Sequence, residues 1–404
     1  MKVVVLGAGV IGTTAAWYLR QAGHDVQVLE RREGPGLETS FANGGQISAD
    51  HAAPWANPDA PLQALKWMLR EDAPLLFRLR ADPAQWCWAL RFLRNCTPAR
   101  FRANAAQLVR LGRYSRAQLR ALRSETGLQY DQVARGILVL YTDRRPPGPD
   151  FRTPQECIAI EPAVAALKQR LAGGSYLPDD ESGDAYKFTA DLAKLCAAKG
   201  VNFDFHIDIK GFSVENGEIS NVRIQRKDGT RETRRADAYV LALGSYSPLL
   251  AHPIGIHLPI YPLKGYSVTM PVRNPAAAWT VSLSDEAHKL VLSRLGARLR
   301  IAGTAELNGY DTSLNMVRCK AIVTRVMDLF PEAGDPSQAT YWTGLRPATP
   351  SNVPCIGRTR YANLFLNTGH GTLGWTHACG SGRALADIVG GRKPEVDFAF
   401  AGAA

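Results

Sequence analysis

Two glycine-rich turns at opposite ends of the chain carry residue types that could do chemistry. Gly369-His-Gly-Thr-Leu-Gly374-Trp375 stands between the apolar run Asn363-Leu-Phe-Leu-Asn-Thr368 and a helix start. A turn of this kind gathers several backbone N–H groups at one point, which suits a phosphate or an electron-rich ring edge. The second turn, Gly7-Ala-Gly9-Val10-Ile11-Gly12, follows the β-branched run Lys2–Leu6 and precedes a helix that ends at Gly23. Its first glycine allows the tight turn, its second lets the backbone approach a pyrophosphate, and its third lets helix and strand pack closely. The next run, Asp25–Leu29, ends in Glu30, an acid placed to accept hydrogen bonds from a ribose hydroxyl. Strand, turn, helix, strand and acid predict a dinucleotide site. Arg31 and Arg32 leave a 2′-phosphate as an alternative, against which the acid beside them argues. A nicotinamide cofactor needs no second glycine turn hundreds of residues away. A long ligand gripped at both ends does, and that favours FAD.

The elements that must position these turns fall into two sets. Residues 1–50, 185–255 and 340–404 read as strands alternating with helices, a Rossmann-like α/β domain for FAD. Residues 51–184 begin with Trp- and Arg-rich helical segments and end in strands such as 136–141. Residues 256–339 read as a strand meander followed by a helix over 314–330. These two insertions are expected to form one α+β substrate domain on a mainly antiparallel sheet that roofs the cofactor.

At 404 residues and 46% hydrophobic, the chain can bury a large core. Seven cysteines show neither a CxxC pair nor a disulfide framework, so they read as reduced, buried packing residues. Cys355, the one cysteine near the C-terminal turn, reads as core rather than as a covalent flavin link, and FAD is expected to be non-covalent. No metal is expected, because the eight histidines lack ligand spacing. His51 and His370 lie near the expected turns. Met1-Lys2 leads directly into the first strand, and no apolar run reaches the roughly 20 residues of a spanning helix. A cytoplasmic location follows as the expectation, with peripheral attachment to the inner face of a bacterial plasma membrane as its extension.

The net charge of +11 is local. Between Lys66 and Arg123 stand 13 Lys or Arg against 3 Asp or Glu. Arg102, Arg110, Arg113, Arg116, Arg120 and Arg123 recur at helical spacing opposite Phe101, Ala105, Leu108, Leu119 and Leu122, and Trp55, Trp67, Trp86 and Trp88 lie upstream. A solvated helix face is one reading; an anionic membrane surface is the other. No nucleic-acid module accompanies the charge, so nucleic acid is not an expected partner.

The two turns, Glu30, Thr39-Ser40-Phe-Ala-Asn43-Gly-Gly45-Gln46, Tyr186-Lys-Phe-Thr189, Ala242-Leu-Gly244-Ser-Tyr246 and Gly344-Leu-Arg346-Pro together resemble the D-amino acid oxidase superfamily of FAD-dependent oxidoreductases. Within it they look most like the small-subunit branch of bacterial D-amino acid dehydrogenases. The resemblance spans nearly the whole chain and implies oxidation of a D-amino acid, with hydride transfer from Cα to the flavin and electrons passed to a quinone or an electron-transfer partner. D-proline or D-hydroxyproline dehydrogenation, an amine oxidase and a flavin-binding partner subunit are the alternatives. The resemblance assigns Arg346, in a turn, to the substrate carboxylate. It offers Tyr266, with Lys264 on the same strand, as a second polar contact and His370 as a contact to substrate or flavin. It assigns Gly7, Gly9, Val10, Ile11, Gly12, Glu30, Arg31, Ser40, Asn43, Gly45, Gln46, Ile209, Ala242, Gly244, Gly344, Gly371, Thr372, Leu373 and Gly374 to the cofactor. Ile209 would meet the adenine through its backbone, and Thr372 to Gly374 would supply N–H groups to the flavin ring edge.

Overall fold

The computed structural model describes residues 1–50, 52–67, 74–142 and 151–400. His51 lies outside the described residues, and nothing is described of the Trp67 side chain. Lys2–Leu6 occupies the interior of a six-stranded sheet in the order Cys355–Arg358, Leu364–Thr368, Ala238–Leu241, Lys2–Leu6, Asp25–Leu29, Asn202–Asp204. Neighbours run parallel except at the first pair. Val3, Val5, Val28 and Phe365 meet helices Val10–Gln21, Ala185–Ala198 and Gly374–Val389 on one face. Val4, Leu6, Tyr239 and Leu366 pack on the other with the three-stranded antiparallel sheet Ile207–Glu215, Glu218–Arg226, Arg231–Arg234. Cover on both faces is why these strands are continuously apolar.

The helices that begin at the two glycine turns cross in direct contact. A Cβ on Gly382 would stand 2.9 Å from the Thr14 carbonyl carbon, and Thr14 Oγ1 donates to the Ala378 carbonyl at 3.0 Å. Small residues along the second helix permit this approach. It fixes the distance between the two turns.

The larger sheet has nine strands and is mainly antiparallel. Its path is Thr340–Ala348, Tyr261–Pro271, Arg298–Leu307, Leu290–Leu295, Ser282–Asp285, Ile137–Tyr141, Gly173–Leu177, Phe151–Arg152, with Leu75–Phe77 pairing beside Arg298–Leu307. Helix Met316–Leu329 covers one face through Ile322 and Val326 against Val268, Leu292 and Ile301. The division expected at residue 340 differs from the observed path. Thr340–Ala348 pairs along its whole length with Tyr261–Thr269, so the chain leaves the larger sheet only after Ala348. Arg346 accordingly sits in a strand, not a turn, and Pro347 is tolerated because this strand is an edge.

Helix Pro98–Thr126 is capped by Thr97 and stopped by Gly127 at φ 68°. Leu108, Leu119 and Leu122 are buried as expected, but the arginine row is not a free cationic face. Arg113 and Arg116 meet Asp50 at 2.6 Å, Arg116 also meets Asp180 at 2.9 Å, and Arg120 and Arg123 meet the buried Glu181 at 2.5 and 2.6 Å. Arg110 pairs with Asp397 at 2.5 Å. Acids distant in sequence thus match five of the six arginines of the row; Arg102 has no acidic partner among the described residues. All seven cysteines are unpaired; Cys157, Cys196, Cys319 and Cys379 are buried, whereas Cys87 is exposed, contrary to the packing role expected of it. Among the described residues no helix is long and apolar enough to cross a membrane, and no three His, Cys, Asp or Glu cluster to hold a metal.

Candidate active site

One cavity of about 1260 Å³ runs from the N-terminal glycine turn to the C-terminal one. Every residue assigned above to cofactor or substrate lines it, except Gly12 and Lys264. Gly12 serves packing: a Cβ there would lie 1.9 Å from the Gly7 carbonyl oxygen. Gly7 itself has φ 104°, and a Cβ on it would stand 2.7 Å from the Ala242 oxygen. By contrast, a Cβ at Gly9, Gly244, Gly371 or Gly374 would meet no protein atom closer than 3.6 Å. At these four positions the space is left for something other than the protein.

The helix N-termini say the same. Helices starting at Pro83, Pro98, Pro154, Ala185 and Met316 are capped by the side chains of Asp82, Thr97, Thr153, Asp184 and Asn315. The helices that start at the two glycine turns on the cavity have Gly9 and Leu373 at the N-cap, with no capping side chain. Their first-turn N–H groups and positive dipole ends face the cavity, where an anion or a polarised carbonyl is favoured. Ser40 Oγ accepts from Val10 N at 3.0 Å and so anchors the 39–46 loop on the first of them.

Glu30 is buried and accepts from the N–H groups of Ala8 and Arg32, both at 2.9 Å. Burial raises its pKa, and those two bonds oppose the rise. A carboxylate has about four lone-pair sites, which leaves capacity for ribose hydroxyls. The Arg31 guanidinium lies 3.9 Å from the centre of the Tyr246 ring and pairs with Glu38 at 2.7 Å. With its charge matched, it offers no uncompensated cation for a 2′-phosphate; Arg32 does not line the cavity. Ile209 lines the adenosine end from strand Ile207–Glu215. Cys355 does not line the cavity and packs against an apolar cluster.

The opposite wall is made of side chains. Arg346 lies flat against Gly265, whose added Cβ would come within 2.4 Å of the guanidinium carbon. Nη1 of Arg346 donates to the Thr304 carbonyl at 3.0 Å, and no carboxylate pairs with it among the described residues. Burial and the charge of Arg318 lower its pKa to about 10, which keeps it charged at neutral pH. Thr304 is the extra residue of a bulge opposite Gly265 and Tyr266, held at φ 52° with an unpartnered hydroxyl. Such a conformation costs about 1 kcal/mol or more and turns the carbonyl toward Arg346.

Tyr266 lines the cavity, but its hydroxyl donates to Glu306 at 2.5 Å; burial first, and that bond next, raise its pKa far above the usual phenol value. Its proton is committed, contrary to the expected role as a carboxylate donor. Lys264, also buried, stands 3.1 Å from Asp311. His370 is buried with both ring nitrogens unpartnered; burial and the neighbouring His377 push its pKa well below 6.5. Gln46 uses its amide to hold strand Ser282–Asp285, donating to Ser282 Oγ at 3.0 Å and Ser284 Oγ at 3.2 Å. Asn43 accepts from Gly45 N at 3.0 Å, and Arg300 holds its carbonyl at 3.2 Å.

Four residues important to this geometry escaped sequence reading. Gly265 and Thr304 shape the seat of Arg346. The Leu345 carbonyl accepts from Thr39 Oγ1 at 2.8 Å and from Ser245 Oγ at 3.0 Å, joining three distant motifs beside Arg346. Asn367 is fully buried at the cavity wall with both amide atoms unpartnered. A polar residue directly after the apolar Leu364–Leu366 was the one available signal.

A family model described as FAD dependent oxidoreductase matches residues 2–388. The chain is 55% identical to a D-amino acid dehydrogenase of Dechloromonas aromatica, covering 99% of each chain. It is also 55% identical to a D-amino acid dehydrogenase of Paramagnetospirillum magneticum, over 98% of this chain and 97% of the other. Among solved structures, glycine oxidase from Geobacillus kaustophilus superposes with TM-score 0.73 at 22% identity, covering 100% of this chain and 98% of that one. L-proline dehydrogenase from P. horikoshii gives TM-score 0.73 at 18% identity over 98% and 95%. At these identities the structures share the fold.

Proposed function

The chain belongs to the family of FAD-dependent oxidoreductases, and from that premise we propose that it is a D-amino acid dehydrogenase. It oxidises a D-amino acid to the imino acid, which water converts to the 2-oxo acid and ammonia; electrons leave to a quinone or another acceptor that is not dioxygen. The cofactor is FAD, and the uncapped helix starts and open glycines at both ends of one cavity fit it.

The observation that carries the reading is Arg346, a partly buried guanidinium on the cavity wall with no acidic partner among the described residues. Bidentate bonding to a carboxylate would match its charge and fix the substrate in one orientation. Gly265 and the Thr304 carbonyl hold the guanidinium plane, so little motion remains to be frozen on binding. When bound, FAD supplies a hydride acceptor at its N5 for the substrate Cα. His370 is uncharged at neutral pH and presents unpartnered ring nitrogens to substrate or ring without adding a second cation. Gly371 and Thr372 line the ring edge, where the Leu373 N–H expected to serve it is instead donated to the His370 carbonyl at 3.0 Å, and Glu30 takes the ribose. Tyr266 acts from the wall by orienting Glu306 behind it.

Anaerobic mixing of the yellow protein with a panel of D- and L-amino acids, D-proline and D-hydroxyproline tests this. D-amino acids should bleach the flavin and release ammonia stoichiometrically. Bleaching by the cyclic imino acids alone would reassign the substrate class, and no bleaching by any amine would leave an electron-transfer partner subunit. A quinone acceptor is lipid-soluble, which makes an anionic membrane surface the partner this reading implies.

A further inference from the structure

Helix Pro83–Asn95 presents two faces. On its inner side the Trp88 indole donates to the Ala348 carbonyl at 2.7 Å, and Phe92 lines the cavity. On its outer side Trp86, Leu90 and Leu93, spaced i, i+4, i+7, are 46%, 59% and 50% exposed. Exposed apolar residues scattered singly need no explanation; three on successive turns of one helix form a stripe. Arg94 and Arg91 flank the stripe on one side. Together with Arg100, Pro259, Pro350 and Ser351 they line a hollow of about 320 Å³.

No carboxylate lines that hollow, and none of the three guanidinium groups has an acidic partner among the described residues. This departs from the later part of the long helix, where Arg110, Arg113, Arg116, Arg120 and Arg123 are each matched by an acid. Three like charges gathered without a counter-charge repel one another, and an anion in the hollow would remove that repulsion.

We propose that this face docks on an anionic phospholipid surface: the hollow takes the lipid phosphate, and Trp86, Leu90 and Leu93 enter the boundary between headgroups and acyl chains. A free phosphate would satisfy the arginines but leave the apolar stripe in water. An interfacial helix uses both, with Trp and Leu below and arginines at the phosphates. The docked face and the cavity share a wall, since Phe92 and Phe101 line the cavity from the two helices that carry these arginines. The geometry does not depend on the reaction proposed above; the reaction supplies the reason for a lipid-soluble acceptor to arrive there.

Flotation of the intact flavoprotein with vesicles tests the docking. It should bind phosphatidylcholine vesicles containing phosphatidylglycerol, not phosphatidylcholine alone, and more weakly at high salt. R91E/R94E/R100E should weaken binding by on the order of a hundredfold or more, at about 1 kcal/mol per cation. L90S/L93S should weaken it at both salt levels. Both variants should keep wild-type rates with a soluble dye while losing reduction of a quinone held in vesicles. Wild-type protein that ignores anionic vesicles, or a triple arginine variant that binds them equally well, overturns the proposal. Calorimetric binding of inorganic phosphate without vesicle binding overturns it in favour of a soluble anion. Self-association abolished by L90S/L93S, again without vesicle binding, overturns it in favour of a second copy. Loss of the dye-linked reaction in the wild type would overturn the assigned reaction instead and leave the docking result standing.

Discussion

At the two glycine turns the cavity is walled by backbone; across from them it is walled by side chains that other side chains hold in place. Gly9, Gly244, Gly371 and Gly374 leave room for a ligand, and two helices offer uncapped N–H groups. The facing wall depends on Arg346, which needs the absence of a side chain at Gly265 and the strained carbonyl of Thr304. A backbone cradle needs few partners beyond its own turn. A side-chain wall inherits its precision from residues scattered over the larger sheet, and changes there should alter substrate use without releasing cofactor.

The strongest attempt to break this contrast is made within one turn. Gly12→Val should destabilise the fold by about 3 kcal/mol or more, because its Cβ would overlap the Gly7 carbonyl. Gly9→Ala should leave apoprotein stability within about 0.5 kcal/mol but lower FAD affinity at least about tenfold, since only ligand space is filled. Thermal midpoints of apoprotein and fluorescence titration with FAD separate the two. Equal loss of stability in both variants would erase the distinction between packing and ligand glycines.

On the facing wall, Arg346→Ala should keep the yellow cofactor and raise KM about a hundredfold, the loss of a charge-assisted pair of bonds. Gly265→Ala should move the guanidinium and give a smaller effect of the same kind. Steady-state kinetics beside flavin content decides this, and unchanged saturation in Arg346→Ala would remove it from the substrate site.

Titration probes the junction of the two regions. His377 is buried with its pKa lowered to about 4, and His370 is lowered well below 6.5. Below pH 6.5 the unfolded chain takes up protons at these positions and the folded protein does not. Stability should therefore be fully present above pH 6.5 and fall by about 1.4 kcal/mol per pH unit per histidine as pH drops toward 4. Urea midpoints across that range measure the slope, and His377→Gln should flatten it. The smallest effect is expected from Tyr266→Phe: about 1 kcal/mol of stability for the lost bond to Glu306, with KM changed less than about threefold. A large KM change would place the hydroxyl in contact with substrate.

Legibility followed the same division. The first turn, its strand and Glu30 were readable because each rests on neighbours in sequence: Lys2–Leu6 and Asp25–Leu29 form as expected, and the helix begins at Val10. The meander 258–306 was readable from alternation and turns, within a few residues of the observed strands. The 340–348 segment was misplaced because Gly344 and Pro347 look like a turn until the edge of strand Tyr261–Pro271 is there to pair with it. The arginine row on Pro98–Thr126 looked free because its partners, Asp50, Asp180, Glu181 and Asp397, lie outside that helix.

The amino-acid order by itself determined that both ends of the chain make glycine turns between strand and helix, and that an arginine stands in a Gly-Leu-Arg-Pro motif ahead of the second. These are local consequences of backbone freedom and hydrophobic period. Only the tertiary structure decided that the turns share one cavity, through the close crossing at Thr14 and Gly382, and that Arg346 stands there without an acid while Arg110, Arg113, Arg116, Arg120 and Arg123 of the long helix each meet one. Contact across hundreds of residues depends on which surfaces are buried together, and that is a property of the packed sheets.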